Sequence, residues 1–185
     1  IQSLPINSGV FCLKKDRFQD VVWIGTDGQG VYLYSNPLYS IKSMVLSNYT
    51  EKIERPVRAI YLDDERTFWV GTKGNGILKI YDYEFDKNIS DCRAEVLTTS
   101  NSALSSNAVY CFAKSHRNLL WIGDEEGLTY YSYREKRIKS IPIRIGNEDF
   151  KYIHDIYETA DSELWLASVG MGVVKARIAG TPDNP

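Results

Sequence analysis

The chain has 185 residues, 43% hydrophobic and 25% charged, with a net charge of -2 and a pI of about 5.8. That balance belongs to a globular chain with a real core, and its scattered lysines and arginines argue against the basic face that a nucleic-acid reader needs. No apolar run approaches the roughly 20 residues that cross a bilayer, so no membrane contact is expected, and the N-terminus does not read as a signal peptide. Opening on Ile1 rather than Met is expected of a fragment, so the missing targeting signals bear little on location.

Four segments repeat along the chain. In order they contain V-V-W-I-G-T-D-G-Q-G (Val21 to Gly30), F-W-V-G-T-K-G-N-G (Phe68 to Gly76), L-L-W-I-G-D-E-E-G (Leu119 to Gly127) and E-L-W-L-A-S-V-G-M-G (Glu163 to Gly172). All four tryptophans, Trp23, Trp69, Trp121 and Trp165, hold one register at spacings of 46, 52 and 44 residues, a period expected of propeller blades. Each repeat opens with an apolar strand: Val10 to Lys14, Val57 to Leu62, Val109 to Ala113, Ile153 to Tyr157. A polar turn, often with Asp, leads into the Trp strand, whose consecutive apolar residues predict cover on both faces. Gly28 and Gly30, Gly74 and Gly76, and Gly170 and Gly172 then predict a tight turn with φ > 0. A third strand rich in Tyr, Val and Ile follows, and a looser fourth: Ile41 to Leu46, Arg93 to Thr98, Ile138 to Ile143.

No dozen residues show helical spacing. The expected fold is all-β, an incomplete β-propeller of four blades with up to four antiparallel strands each, in one fragment over residues 1–185. The blades are placed at about 7–50, 54–100, 106–145 and 150–178. Ile1 to Ile6 fit the last strand of a neighbouring blade, and Ala179 to Pro185 a tail. A seven-bladed ring would need roughly 330 residues. Four blades would also leave two bare sheet faces, so self-association is expected, as two arcs closing into one ring. The rival expectation is that further blades of a longer protein cover those faces.

The motif Trp-Ile-Gly-Thr-x-Gly-x-Gly, with its Asp-bearing turn and Tyr-rich strand, resembles the two-component regulator propeller repeat. The segment N-S-A-L-S-S-N-A-V-Y (Asn101 to Tyr110) is similar to that family's blade connection, and S-L-P-I-N-S-G-V-F (Ser3 to Phe11) is a weaker copy. Such repeats form the periplasmic sensor region of Bacteroides-type hybrid histidine kinases, where two seven-bladed propellers precede a β-sandwich, a membrane helix and the kinase. The resemblance implies a periplasmic, non-enzymatic sensor of an oligosaccharide, passing its signal through the remaining blades and sensor domains to a kinase outside this chain. The third repeat (Gly-Asp-Glu-Glu-Gly) and the fourth (Leu-Ala-Ser-Val-Gly) depart from the pattern, which marks their turns as candidates for a specific role.

Candidate ligand residues come from the second position of each opening strand: Phe11, Arg58, Tyr110 and His154. A purely structural position would be alike in every blade; here it carries two aromatics, a cation and an imidazole. In a propeller these strands line the channel, and such a set suits a sugar acid or a polar oligosaccharide, against the plainer reading of solvated channel residues. Asp27, Lys73, Asp124 and Glu125, on turns expected to open to the same face, form a second tier. The glycine turns lack the following helix that a phosphate loop requires. The tryptophans, though able to stack sugars, recur too regularly and are expected to pack between blades.

Little points to catalysis. His116 and His154 are the only histidines and lack His-x-x-x-His spacing, and there is no Gly-x-Ser-x-Gly elbow. Asp63-Asp64 and Glu125-Glu126 read as solvated turns, although a glycosidase pair about 5–9 Å apart is invisible to sequence. Propeller lyases use a His and Glu cluster that these residues do not assemble. Cys12, Cys92 and Cys111 form no Cys-x-x-Cys pair, and Cys12 and Cys111 read as small buried thiols. No catalytic residue, metal site or cofactor is therefore expected, and the sequons at Asn48 and Asn88 read as coincidental. The alternatives to a sensor are a protein-interaction scaffold and a propeller lyase or hydrolase.

Overall fold

A computed structural model describes residues 6–35, 40–44, 55–83, 92–180 and 185. Residues 1–5, the end of the expected fourth strand at 45–46, both sequons and most of the expected tail lie outside the described residues. The chain divides into two compact units, residues 1–96 and 97–185. Among the described residues all regular structure is β-strand.

The first unit holds two four-stranded antiparallel sheets with strands in chain order. One is built from β1 (Val10–Lys15), β2 (Val21–Thr26), β3 (Val31–Ser35) and β4 (Ser40–Met44). The other is built from β5 (Val57–Leu62), β6 (Phe68–Thr72), β7 (Ile77–Ile80) and β8 (Ala94–Leu97). The second unit repeats the plan with β9 (Val109–Lys114), β10 (Leu119–Asp124), β11 (Leu128–Ser132) and β12 (Arg137–Ile141). A short ribbon not foreseen from sequence, β13 (Arg144–Ile145) and β14 (Glu148–Asp149), then leads to a three-stranded sheet of β15 (Ile153–Glu158), β16 (Glu163–Ser168) and β17 (Gly172–Arg177). Chain-order antiparallel strands need only short connections, and the glycine turns supply them: Gly28, Gly30, Gly74, Gly76, Gly170 and Gly172 all have positive φ.

Each Trp strand is the second of its sheet, and β6 and β10 are buried at every residue. Trp23 packs on Phe68 at 4.0 Å and edge-on to Tyr83 at 5.1 Å, joining the two sheets of the first unit in one core. In the second unit Trp121 lies in a core with Tyr130, Phe150, Ile153 and Leu166. Trp23, Trp69 and Trp121 are completely buried, as packing tryptophans should be, whereas Trp165 is 42% exposed.

The Asp-bearing turns have a specific task. Asp63 Oδ1 accepts from the Glu65 and Thr67 backbone N–H groups at 2.9 and 2.8 Å, and its Oδ2 accepts the Trp69 indole N–H at 2.9 Å. Asp16 does the same for Phe18, Gln19 and Trp23. Asp63 is thus buried and fully engaged, which corrects its reading as a solvated carboxylate; burial is tolerated because each lone pair in use faces a donor. Asp64 does reach solvent and pairs with Arg17. In the third sheet Ser115 replaces the Asp, and the Trp121 indole donates instead to Glu158 Oε2 at 2.6 Å, on the neighbouring sheet.

Close approach between sheets explains the glycine of the Trp motif. A Cβ at Gly25 would meet Cys12 Sγ at 2.5 Å and Val57 Cγ1 at 3.1 Å; one at Gly123 would meet Cys111 Sγ and the Ile153 carbonyl oxygen, both at 2.5 Å. Cys12 and Cys111 are partly buried in these gaps and Cys92 is buried. Desolvation pushes the Cys12 thiol up to about 11 and the Cys111 thiol higher still, so both fill space as neutral thiols. In the fourth sheet the matching pair is Asp155 and Ala167.

Candidate functional site

The second residue of every opening strand is skipped by the β-ladder. In the first sheet Val10 pairs with Thr26 and Cys12 with Gly25, leaving Phe11 unpaired. Arg58 is skipped between Val57 and Ala59, Tyr110 between Val109 and Cys111, and His154 between Ile153 and Asp155. A bulge frees one residue from the alternation of the strand and re-aims its side chain. Within the first unit the Arg58 guanidinium carbon lies 3.7 Å from the centroid of the Phe11 ring. Within the second unit the Tyr110 and His154 rings stack at 4.1 Å with 21° between their planes. Each unit thus brings together the two bulged residues that the sequence singled out in it.

A second regularity places the turns. The first residue after the Trp strand donates its backbone N–H to the carbonyl two residues before the bulge: Asp27 to Gly9 and Lys73 to Pro56, both at 2.9 Å, and Glu125 to Ala108 at 3.0 Å. The fourth sheet does the same from Val169 to Tyr152 at 3.1 Å. Asp27 and Lys73 are exposed and Glu125 is half-buried, so three second-tier residues do sit beside the start of their opening strands. The fourth equivalent is Val169, exposed and apolar, so the sequence marks it by no polar group.

Asp124 requires a correction. It is the last residue of β10, completely buried, and accepts from Ser105 Oγ at 2.6 Å, Thr129 Oγ1 at 2.9 Å and the Glu126 and Gly127 backbone N–H groups. Its carboxyl is engaged inside the sheet rather than open to a ligand. Burial raises its pKa, and the hydrogen bonds from Ser105 and Thr129 oppose the rise. Glu126, paired in sequence with Glu125, forms an ion pair with Lys151.

The first unit carries an electrostatic feature that the sequence reading missed in part. The Arg58 Nε is buried and has no hydrogen-bond partner. Arg55, whose stem lies 3.5 Å from the Cβ position of Gly74, places a further cation beside Lys73 at the same end of the sheet. Nothing in the repeat pattern marks Arg55, which precedes Pro56 outside the strand. Among the described residues no three His, Cys, Asp or Glu side chains come together as a metal site, and no helix is long and apolar enough to cross a membrane.

Comparison with known proteins adds the following. No family model matches the chain. Among curated proteins it is 31% identical over 140 residues to translation initiation factor 6 of Saccharolobus solfataricus, covering 69% of this chain and 57% of that protein. The chain therefore spans little more than half the length of that relative. Among solved structures it is similar to PorZ, a surface component of the type-IX secretion system of Porphyromonas gingivalis, at TM-score 0.65 and 14% identity over 94% of this chain and 26% of PorZ. It is similar to the extracellular domain of a hybrid two-component system from B. thetaiotaomicron at TM-score 0.59 and 19% identity, over 96% of this chain and 28% of that one. Virginiamycin B lyase from Staphylococcus aureus matches at TM-score 0.64 and 15% identity, over 98% of this chain and 60% of the enzyme. The resemblance read from the Trp motif thus has its counterpart in structure: the matched folds include two-component extracellular domains. At these identities the matches establish the fold they share.

Proposed function

We propose that this chain is a four-bladed stretch of β-propeller serving as the periplasmic ligand-sensing region of a bacterial two-component sensor, with a glycan fragment as its ligand and a kinase outside the chain. The four sheets are taken as the blades, and further blades and sensor domains as the route of the signal. The likeness to two-component extracellular domains supports the sensor role, and it extends over 96% of the chain. The observation that carries the binding role is the bulge. Each of the four larger sheets releases one opening-strand residue from its ladder, and those residues are Phe, Arg, Tyr and His rather than one repeated type. Aromatic faces beside cationic and imidazole donors are the chemistry of a polar, ring-shaped ligand.

Calorimetric titration of the intact extracellular region with plant and host oligosaccharides tests this reading. Saturable binding of one glycan without turnover, weakened by Arg58→Ala or His154→Ala, is the expected result. Binding that both variants leave unchanged would move the site elsewhere, and the absence of any binding across the panel would overturn the glycan ligand. Conversion of a bound compound would instead favour a lyase or hydrolase, the reading to which the likeness to virginiamycin B lyase lends a fold.

A further inference from the structure

The unpartnered Arg58 calls for an anion. Its guanidinium carbon lies 3.7 Å from the centroid of the Phe11 ring, a contact that uses no N–H. Its Nε is buried with no acceptor, a costly state for a donor that carries part of a full positive charge. Among the described residues no acid pairs with Arg58, Arg55 or Lys73, while other surface cations such as Arg17, Arg144, Lys151 and Lys175 each have a carboxylate partner. The three unpaired cations belong to one end of one sheet: the Lys73 N–H is bonded to the Pro56 carbonyl, and the Arg55 stem lies over Gly74. At that end of the first unit Asp27 is the acid on the matching turn, with its backbone held by Gly9.

We propose that the Phe11–Arg58 pair, assisted by Lys73 and Arg55, binds an oxyanion carried by a saccharide, a carboxylate or a sulfate ester. This rests on the reading that the bulged end of the sheets faces the ligand, and it narrows that ligand from glycans in general to acidic ones. With Nε buried, the guanidinium stacked over Phe11 offers its two Nη groups as the edge for two parallel hydrogen bonds, a match for carboxylate or sulfate that a lysine cannot copy. A neutral sugar would leave the charge unanswered. Phe11 is needed as the platform, so the pair and not the charge alone makes the site.

The test is an NMR titration of the protein with D-glucuronate, D-glucose 6-sulfate and D-glucose. At least one anion binds and glucose does not, with binding weakening as ionic strength rises; which anion binds more tightly distinguishes a carboxylate from a sulfate source. Arg58→Gln loses about tenfold or more in affinity, as expected when a charge-assisted pair is removed. Arg58→Lys recovers only part of it, and Phe11→Ala weakens binding although every charge is kept. Equal binding of glucose, no binding of either anion, or affinity unchanged in a folded Arg58→Gln protein would overturn the proposal. Its fate is separable from that of the sensor reading. Neutral oligosaccharides bound equally well by Arg58→Gln would leave the sensor and remove the anion site. Glucuronate bound through Arg58 with no oligosaccharide bound would do the reverse.

Discussion

Asp63, on a turn, and Asp124, at a strand end, are both buried, yet they answer to different donors. Asp63 takes three N–H groups, one of them an indole, whereas Asp124 takes two hydroxyls and two backbone N–H groups. Hydroxyls can turn to donate or accept, so the Asp124 pocket also suits a neutral side chain. Its folded pKa lies above the ordinary 3.8, chiefly through desolvation. The unfolded chain therefore loses this proton first as pH rises, and the folded state, which retains it longer, loses stability across that interval. Asp124→Asn is expected to fold, to keep the hydroxyl contacts and to flatten this fall in stability above about pH 3.8. Urea denaturation across the acid range measures it, and an unchanged slope would show that Asp124 is not its source.

At the scale of the element, the fit between Trp strand and opening strand depends on glycine meeting a small side chain. Gly25→Ala would drive its Cβ onto Cys12 Sγ, a side chain that can be shortened; Gly123→Ala would strike the Ile153 carbonyl as well. Both single variants are expected to destabilise by about 2 kcal/mol or more, as overpacking does. Cys12→Ala should rescue much of the Gly25→Ala loss, whereas Cys111→Ala should rescue little of the Gly123→Ala loss because the backbone stays in place. Two double-mutant cycles by chemical denaturation check the contrast.

The same elements show what sequence could reveal. The Trp register and the glycine pairs were legible because repetition separates a structural position from an accidental one. The chemical variety at Phe11, Arg58, Tyr110 and His154 was legible too, but the bulge behind it was not, since one skipped ladder position leaves no mark in composition. Asp124 was misplaced because the third repeat is one residue short: Asp124 stands at the strand end occupied by Thr26 and Thr72, not on the turn with Asp27 and Lys73. Val169 holds the repeated turn position but is apolar, and Arg55 is charged but stands outside the repeated positions, so each lacked one of the two signals that drew the others into the set.

For the whole molecule, exposed apolar side chains gather on the first and last sheets. Phe11, Leu13 and Phe18 are exposed in or beside the first, Leu13 by 64%; Tyr157, Trp165 and Val173 are exposed on the last, Tyr157 by 67% and Val173 by 64%. Trp165 and Tyr157 pair across the strands at the register where the third sheet holds a buried Trp121 and a partly buried Ala113. Such surface exceeds what isolated surface apolar residues explain. This chain is expected to self-associate with rising concentration, and a Trp165→Lys, Val173→Lys double variant to shift it toward monomer. Sedimentation velocity decides this, and a wild-type chain that is monomeric at every concentration would dismiss self-association.

The three buried tryptophans differ in where their indole proton is received, and that difference bears on the order of folding. Trp23 and Trp69 find their acceptors seven and six residues back, in the hairpin that each closes. Trp121 finds its acceptor 37 residues ahead, at the end of the first strand of the next sheet. The first two sheets can therefore satisfy their central side chain while still forming locally, at little cost in loop closure. The third cannot: its indole meets Glu158 only when β15 is in place, so the central hydrogen bond of the third sheet depends on the fourth.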